Sequence, residues 1–261
     1  MPRRRDRHDH DAGGDVSVLA AKAALRDEVR SAMRTTKVAR FPGAEGRIPN
    51  FVGAEAAAER LRGTDEWQST ATVKANPDAP QLPVRQRALE DGKTVFMAAP
   101  RLAADEPFFL LDPASLSVTP RQAASIKGAS RYGRPVGIVE LQPVDLVVVG
   151  CVAVSADGAR LGKGGGFSDL EYAVGCEAGL IRRSTVIATT VHKVQVVDNG
   201  RIPVTAHDFR LDLIVTPERV TVCRASSGRR PTSPGIRWSE LTDEKIASIP
   251  LLRRLQLSVS G

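Results

Sequence analysis

Residues 159–173 read ARLGKGGGFSDLEYA, with Gly162, Lys163, Gly164, Gly165 and Gly166 in unbroken succession. Glycine is costly to order, so such a cluster marks backbone that must bend sharply or approach something closely. Arg160 and Lys163 add positive charge, Phe167 adds an aromatic ring, and a helix is expected to begin about Asp169. Backbone N–H groups, cations and a helix N-terminus are the ingredients of a phosphate site. Asp169, close to those donors, suits a magnesium ion shielding the phosphates. Neither standard nucleotide motif is present. Gly158 and Gly162 are one residue too close for G-x-x-x-x-G-K-[ST], and Phe167 stands where G-x-G-x-x-G needs its last glycine. The same residues also suit a tight surface turn with Asp169 as an ordinary N-cap.

A second cluster lies in the first helical pattern. Lys22, Arg26, Arg30 and Arg34 stand four apart, each about 40° further round a helix than the last. Lys22 falls between Leu25 and Met33 in the apolar stripe, Arg26 borders it, and Arg30 and Arg34 turn towards water. A lysine on a buried face needs a partner for its amine; snorkelling at the helix start also accommodates it. His192, and His207 with Asp208, are residue types of acid–base or metal sites, although a histidine among strands commonly serves packing. There is no G-x-S-x-G elbow and no H-E-x-x-H zinc motif.

The elements that must carry these residues follow from periodicity. Residues 1–15 are polar and aperiodic and are expected to be a disordered tail, leaving residues 16–261 as a single domain. A helix is expected over 17–36, capped by Asp15 or Ser17, then helices over 54–63, 83–92 and 169–179. Strands are expected in STATVKA, KTVFMAA, GIVEL, VDLVVVG, TVIATTVH and LDLIVTPERVTVC, with residues 100–113 as loop and 243–256 as a final helix. Near-continuous Val, Ile and Leu runs suit strands covered on both faces. Their alternation with helices points to an α/β fold: three Rossmann-like layers with a mostly parallel sheet flanked by helices.

Composition narrows the class. The 261 residues are 42% hydrophobic and only 4% aromatic, so the core must be aliphatic. No apolar run approaches the roughly 18 residues of a membrane span, and no apolar segment follows the basic start as a secretory signal would require. Three cysteines at wide spacings fit neither a disulfide framework nor a zinc site, which points to the reducing cytoplasm. The net charge of +7 gathers at positions 22–40 and 224–237. Only Phe41 and Trp238 accompany those stretches, too few stacking aromatics for a general nucleic-acid binder.

Taken in order, these blocks resemble the 5-formyltetrahydrofolate cyclo-ligase family, in particular its methenyltetrahydrofolate synthetase domain-containing branch. The family's K-x-x-x-R, R-L-G-x-G-x-G-Y-Y-D and D-x-x-V-D patterns are similar to Lys22 with Arg26, RLGKGGGFSD, and HDFRLD containing Asp208. The resemblance spans about residues 17–250. It implies a Mg-dependent enzyme in which the formyl oxygen of 5-formyltetrahydrofolate attacks the γ-phosphate of ATP and N10 then closes the methenyl ring. It places Lys22 and Arg26 on the phosphates, Arg160 and residues 162–167 along the nucleotide, and Asp169 and Asp208 on magnesium. Two departures stand out. The paired tyrosines become Phe167 and Ser168, and Pro80 stands where the family has a folate-contacting glutamate, with Asp78 nearby. An ATP-dependent enzyme on another substrate, or a non-catalytic nucleotide-binding or RNA-associated regulator, are the alternatives.

Overall fold

The structure is a computed structural model and describes residues 9–206, 208–223 and 235–259. Helix α1 (Asp9–Thr35) leads into a short hairpin, β1 (Ala39–Arg40) and β2 (Asn50–Phe51), then helices α2 (Ala54–Arg62) and α3 (Asp65–Gln68). Strand β3 (Thr72–Ala75), helix α4 (Leu82–Glu90) and strand β4 (Thr94–Ala98) make a βαβ unit; β5 (Phe108–Leu111), α5 (Pro120–Ala123), α6 (Ile126–Tyr132) and β6 (Arg134–Val136) follow. The remainder comprises β7 (Leu146–Val148), β8 (Ala153–Ser155), β9 (Arg160–Leu161), α7 (Phe167–Glu177), β10 (Val186–Thr190), β11 (Val196–Val197), β12 (Leu213–Val215), β13 (Val220–Val222), α8 (Asp243–Ser248) and α9 (Pro250–Val259).

The main sheet has eight strands in the order β13-β12-β10-β7-β3-β4-β5-β6. Its five central strands, β12 to β4, are parallel, and antiparallel strands finish both edges. This is the mostly parallel α/β arrangement expected from the Val-, Ile- and Leu-rich runs. On one face Val73, Val95, Leu146 and Val148 pack against Leu61, Trp67, Val84 and Leu89. On the other, Phe96, Val147, Ile187 and Ile214 meet Tyr172 and Ile181. Helix α1 lays Leu25, Val29 and Met33 on Phe51, Val152 and Leu161, beside the small sheet β11-β8-β9.

From β3 the chain first builds outward through β4, then returns to add β7 on the other side of β3. That reversal is the topological switch point, where open α/β sheets place ligands at the carboxyl ends of their strands. Asn76 follows β3 there and Gly150 follows β7.

Several expectations are corrected. Residues 108–111, within the stretch expected to be loop, form β5 between β4 and β6. The expected strand over 137–141 is instead a 3-10 turn, Ile138–Glu140, with Val139 92% exposed; the edge position it would have filled belongs to β6. The final helix is broken in two because Ile249, ahead of Pro250, is forced into an extended conformation. Helix α1 begins at Asp9, inside the stretch expected to be disordered; residues 1–8 lie outside the described residues. Among the described residues no helix is long and apolar enough to cross a membrane.

Candidate functional site

A cavity of about 1710 Å³ opens at the switch point between α1, the β1–β2 hairpin, the segment after β3 and the glycine loop. Lys22, Arg26, Arg160, Gly162, Lys163, Gly164, Gly165, Gly166, Phe167, Asp169 and Asp208 all line it. Pockets for a single drug-sized ligand commonly measure roughly 300–1,000 Å³, and this space is larger.

Lys22 is buried, and its amine finds the partner that its helical phase demands: Nζ lies 2.6 Å from Asp208 Oδ2. The same oxygen accepts from the backbone N–H of Thr205 at 2.7 Å and its hydroxyl at 2.8 Å. Burial alone would raise the Asp208 pKa, but Lys22 and the two Thr205 donors outweigh it and hold the carboxylate below its usual range. One turn on, Arg26 Nε donates to the Gly162 carbonyl at 2.8 Å, pinning the glycine loop to α1. Arg30 corrects the helical reading: it is buried, and its Nη2 donates to the Arg47 carbonyl at 3.2 Å, because the hairpin covers that face. Arg34 does face water, paired with Glu45 at 3.0 Å.

The loop requires its glycines at two positions. Gly164 has φ +106° and Gly166 φ +66°, regions that side chains other than glycine disfavour. Gly166 is the N-cap of α7, so Asp169 is the third residue of the helix and not its cap. The free N–H groups of the first turn lie at the loop. Lys245 of α8 holds the outer side, with Nζ 2.6 Å from the Gly165 carbonyl and 4.6 Å from the Phe167 ring centroid. In a trans peptide the following N–H points the opposite way, so the Gly166 N–H faces away from Lys245. Lys163 reaches across to Asp78 at 3.2 Å.

Arg160 is the most constrained cation. It is buried, stacked at 4.3 Å on Phe209, and its Nη2 reaches both Asp169 oxygens at 3.2 Å. Burial opposes its charge, yet the carboxylates of Asp169 and Asp208 keep its pKa raised. Its Nε and Nη1 are buried with no hydrogen-bond partner. Unmade bonds on a buried charged group are unfavourable, and an anionic ligand would complete them.

Asp169 and Asp208 therefore each face a cation, and among the described residues no group of three His, Cys, Asp or Glu side chains could hold a metal. Both carboxylates act electrostatically on the Arg160 guanidinium. His192 is structural: Nδ1 accepts from the Val194 N–H at 3.3 Å, and burial lowers its pKa. His207 and residues 224–234 of the basic stretch lie outside the described residues.

Sequence reasoning missed four residues. Lys74, in the middle of β3, forms a buried ion pair with Glu171 of α7, and Asn76 Nδ2 reaches the same Glu171 oxygen at 3.3 Å. Arg85, 1% exposed, donates Nε to the Ala124 carbonyl at 2.8 Å and its Nη groups to the carbonyls of Asn76, Pro77 and Asp78. A lysine inside the strand run TVKA was the available signal for the first group; nothing local marked Arg85.

The sequence model described as "5-formyltetrahydrofolate cyclo-ligase family" matches residues 18–217. The chain is 38% identical over 239 residues to a methenyltetrahydrofolate synthase domain-containing protein of Bos taurus, covering 90% of this chain and 62% of that protein. The Homo sapiens protein of the same description is 37% identical over 243 residues, 92% of this chain and 62% of the relative. The chain thus spans under two thirds of the length of these relatives. Among solved structures, the Aquifex aeolicus 5,10-methenyltetrahydrofolate synthetase is 21% identical with a TM-score of 0.50, covering 84% of this chain and 99% of that one. That likeness concerns the fold.

Proposed function

Because the chain belongs to the 5-formyltetrahydrofolate cyclo-ligase family, we propose that it uses ATP to convert 5-formyltetrahydrofolate to 5,10-methenyltetrahydrofolate, releasing ADP and phosphate. The observation that carries this reading is Arg160, buried at the glycine loop with Nε and Nη1 unpartnered and aided by Lys22, Arg26 and the start of α7.

In this reading the phosphates lie along residues 162–167, against the backbone N–H groups at the start of α7. Arg26 fixes the loop through the Gly162 carbonyl and Lys163 approaches from the opposite wall. The formyl oxygen attacks the γ-phosphorus and ADP leaves. N10 then attacks the resulting iminium carbon, and the former formyl oxygen departs in phosphate. The protein's work is positioning and charge stabilisation, as in other phosphoryl transfers. Lys22 and Arg160 supply fixed positive charge where negative charge spreads over the transferring oxygens. Asp169 and Asp208 are the carboxylates that would hold a magnesium ion, whose chemistry is to shield phosphate charge.

A second reading, an ATP-dependent enzyme on a different substrate, is favoured by one observation. Pro80 is buried where the family's glutamate is expected, and Asp78 is tied to Lys163.

The test mixes purified protein, MgATP and 5-formyltetrahydrofolate and follows the near-ultraviolet absorbance of the methenyl product together with ADP. One ADP per methenyl group is the expected result. ATP binding without methenyl formation would sink the cyclo-ligase reading and leave the second. A Gly164→Ala variant tests the loop: a side chain at φ +106° is strained by roughly 1–2 kcal/mol, although its Cβ would meet nothing closer than 3.5 Å. Loop distortion is expected to weaken ATP binding about tenfold with little change in unfolding temperature, read by calorimetric titration. Unchanged affinity would show that the loop backbone does not set the phosphate contacts.

A further inference from the structure

Lys74 occupies an unfavourable place for a charge. It lies in the middle strand of a parallel sheet, in register with Phe96 on one side and Val147 on the other. Its partner Glu171 projects from α7 onto that face, and each is only 6% exposed. Desolvating both ions offsets most or all of their attraction, and apolar residues of similar volume commonly do as well or better. Stability therefore does not account for the pair.

Its position at the cavity does. Glu171 and Asn76 both line the cavity, beside Ser168 and the loop that begins α7. Lys74 Nζ and Asn76 Nδ2 both donate to Glu171 Oε2, so neither of them engages Oε1. The same donation orients the Asn76 amide, since the reverse orientation would set two acceptors against each other. Asn76 Oδ1 is then buried without a donor, in a residue only 2% exposed. Arg85 fixes the backbone beneath through the carbonyls of Asn76 and Asp78. Two acceptor-bearing side chains, one of them charged, thus line the cavity. They call for a ligand that carries N–H donors, as an amino-substituted nitrogen heterocycle does.

We propose that Glu171 and Asn76, positioned by Lys74, form the subsite that recognises the N–H-bearing ring of the second substrate, replacing the glutamate that the family resemblance places at Pro80. This rests on the reading that the cavity takes a second substrate beside ATP. Lys74 acts through Glu171 and is a positioning residue; Glu171 and Asn76 touch the ligand.

Glu171→Gln alone leaves Lys74 buried without a counter-charge and is prone to unfold. The informative variant is the double substitution Lys74→Met with Glu171→Leu, which removes both charges together. It is expected to unfold at or above the wild-type temperature and to bind ATP within about twofold of wild type. The probes are 5-formyltetrahydrofolate and the bare ring 2-amino-4-hydroxypteridine, titrated into the ATP-bound protein. Both are expected to lose about tenfold to hundredfold in affinity, the range for hydrogen bonds to a charged group. An analogue lacking the amino group should bind wild type and double variant alike. Equal affinity of a folded double variant for the aminopteridine would overturn the subsite, as would failure of that ring to bind wild type. Loss of turnover with ring binding intact in wild type would instead count against the cyclo-ligase reading alone.

Discussion

Lys22→Ala is expected to lower kcat/KM for ATP-dependent turnover by about two to three orders of magnitude, the usual effect of removing one preorganised charge from a phosphoryl-transfer site. The substitution acts twice. It removes a cation of α1 that lines the cavity, and it strips Asp208 of the amine 2.6 Å away. Their side chains are 8% and 12% exposed, so the bereft carboxylate also destabilises the fold, by up to about 3 kcal/mol once residual solvation is allowed for. The pH response separates the two effects. In wild type the folded Asp208 titrates below its unfolded value of about 3.9. Its contribution to stability is therefore full above that value and is lost as pH falls through the folded pKa. Without Lys22 the folded pKa rises, and the acid limb of the stability curve should flatten. Lys22→Arg keeps the charge but not the compact ammonium, and should recover stability more than turnover. A Lys22→Ala protein that turns over within threefold of wild type would remove Lys22 from the phosphate site.

Arg85→Met is the substitution expected to damage the fold most. The guanidinium is buried, and burial lowers its pKa to about 10, so it remains charged at neutral pH. It serves the carbonyls of Ala124, Asn76, Pro77 and Asp78 at once, joining α4 to α5 and to the segment after β3. Methionine fills much of the volume but takes the donor from the Ala124, Asn76 and Pro77 carbonyls, while the Asp78 carbonyl keeps the Gln81 N–H; each lost bond costs about 1–3 kcal/mol where water cannot enter. A net loss of about 3–5 kcal/mol is expected, or about 10 °C in unfolding temperature for a chain of this size. Lysine should not rescue it, because one ammonium cannot span the same carbonyls. Calorimetric unfolding checks this; a shift under about 2 °C would show that the carbonyls find other partners.

What the sequence could disclose was decided by the range of each interaction. Helical phase alone put Lys22 on the buried face of α1, because a four-residue step is local geometry. Its partner Asp208, 186 positions away, was accessible only through the family resemblance. The same phase misplaced Arg30, since what covers it is the Arg47 carbonyl of a hairpin that periodicity does not reveal. Strands with long aliphatic runs, such as those containing β7 and β10, were readable, and the parallel sheet followed from them. The runs FFLL and GIVEL exchanged roles because each is too short to carry a period, and edge pairing decided between them. The glycine loop announced itself by composition, but its attachment to Lys245 depends on a helix 80 residues further on. Lys74 and Glu171 were silent as a pair because 97 positions separate them. A lysine within a strand run gives a reason to look for a carboxylate and no means of saying which.

In the proposed reaction the γ-phosphoryl group of ATP passes to the formyl oxygen of 5-formyltetrahydrofolate. The most direct test supplies that substrate with an isotopically labelled formyl oxygen, adds MgATP and protein, and analyses the released phosphate by mass. Each phosphate is expected to carry the label, with methenyl product and ADP formed in equal amounts. Phosphate released without the label would show that water, not the formyl group, accepts the phosphoryl group, and would contradict the account.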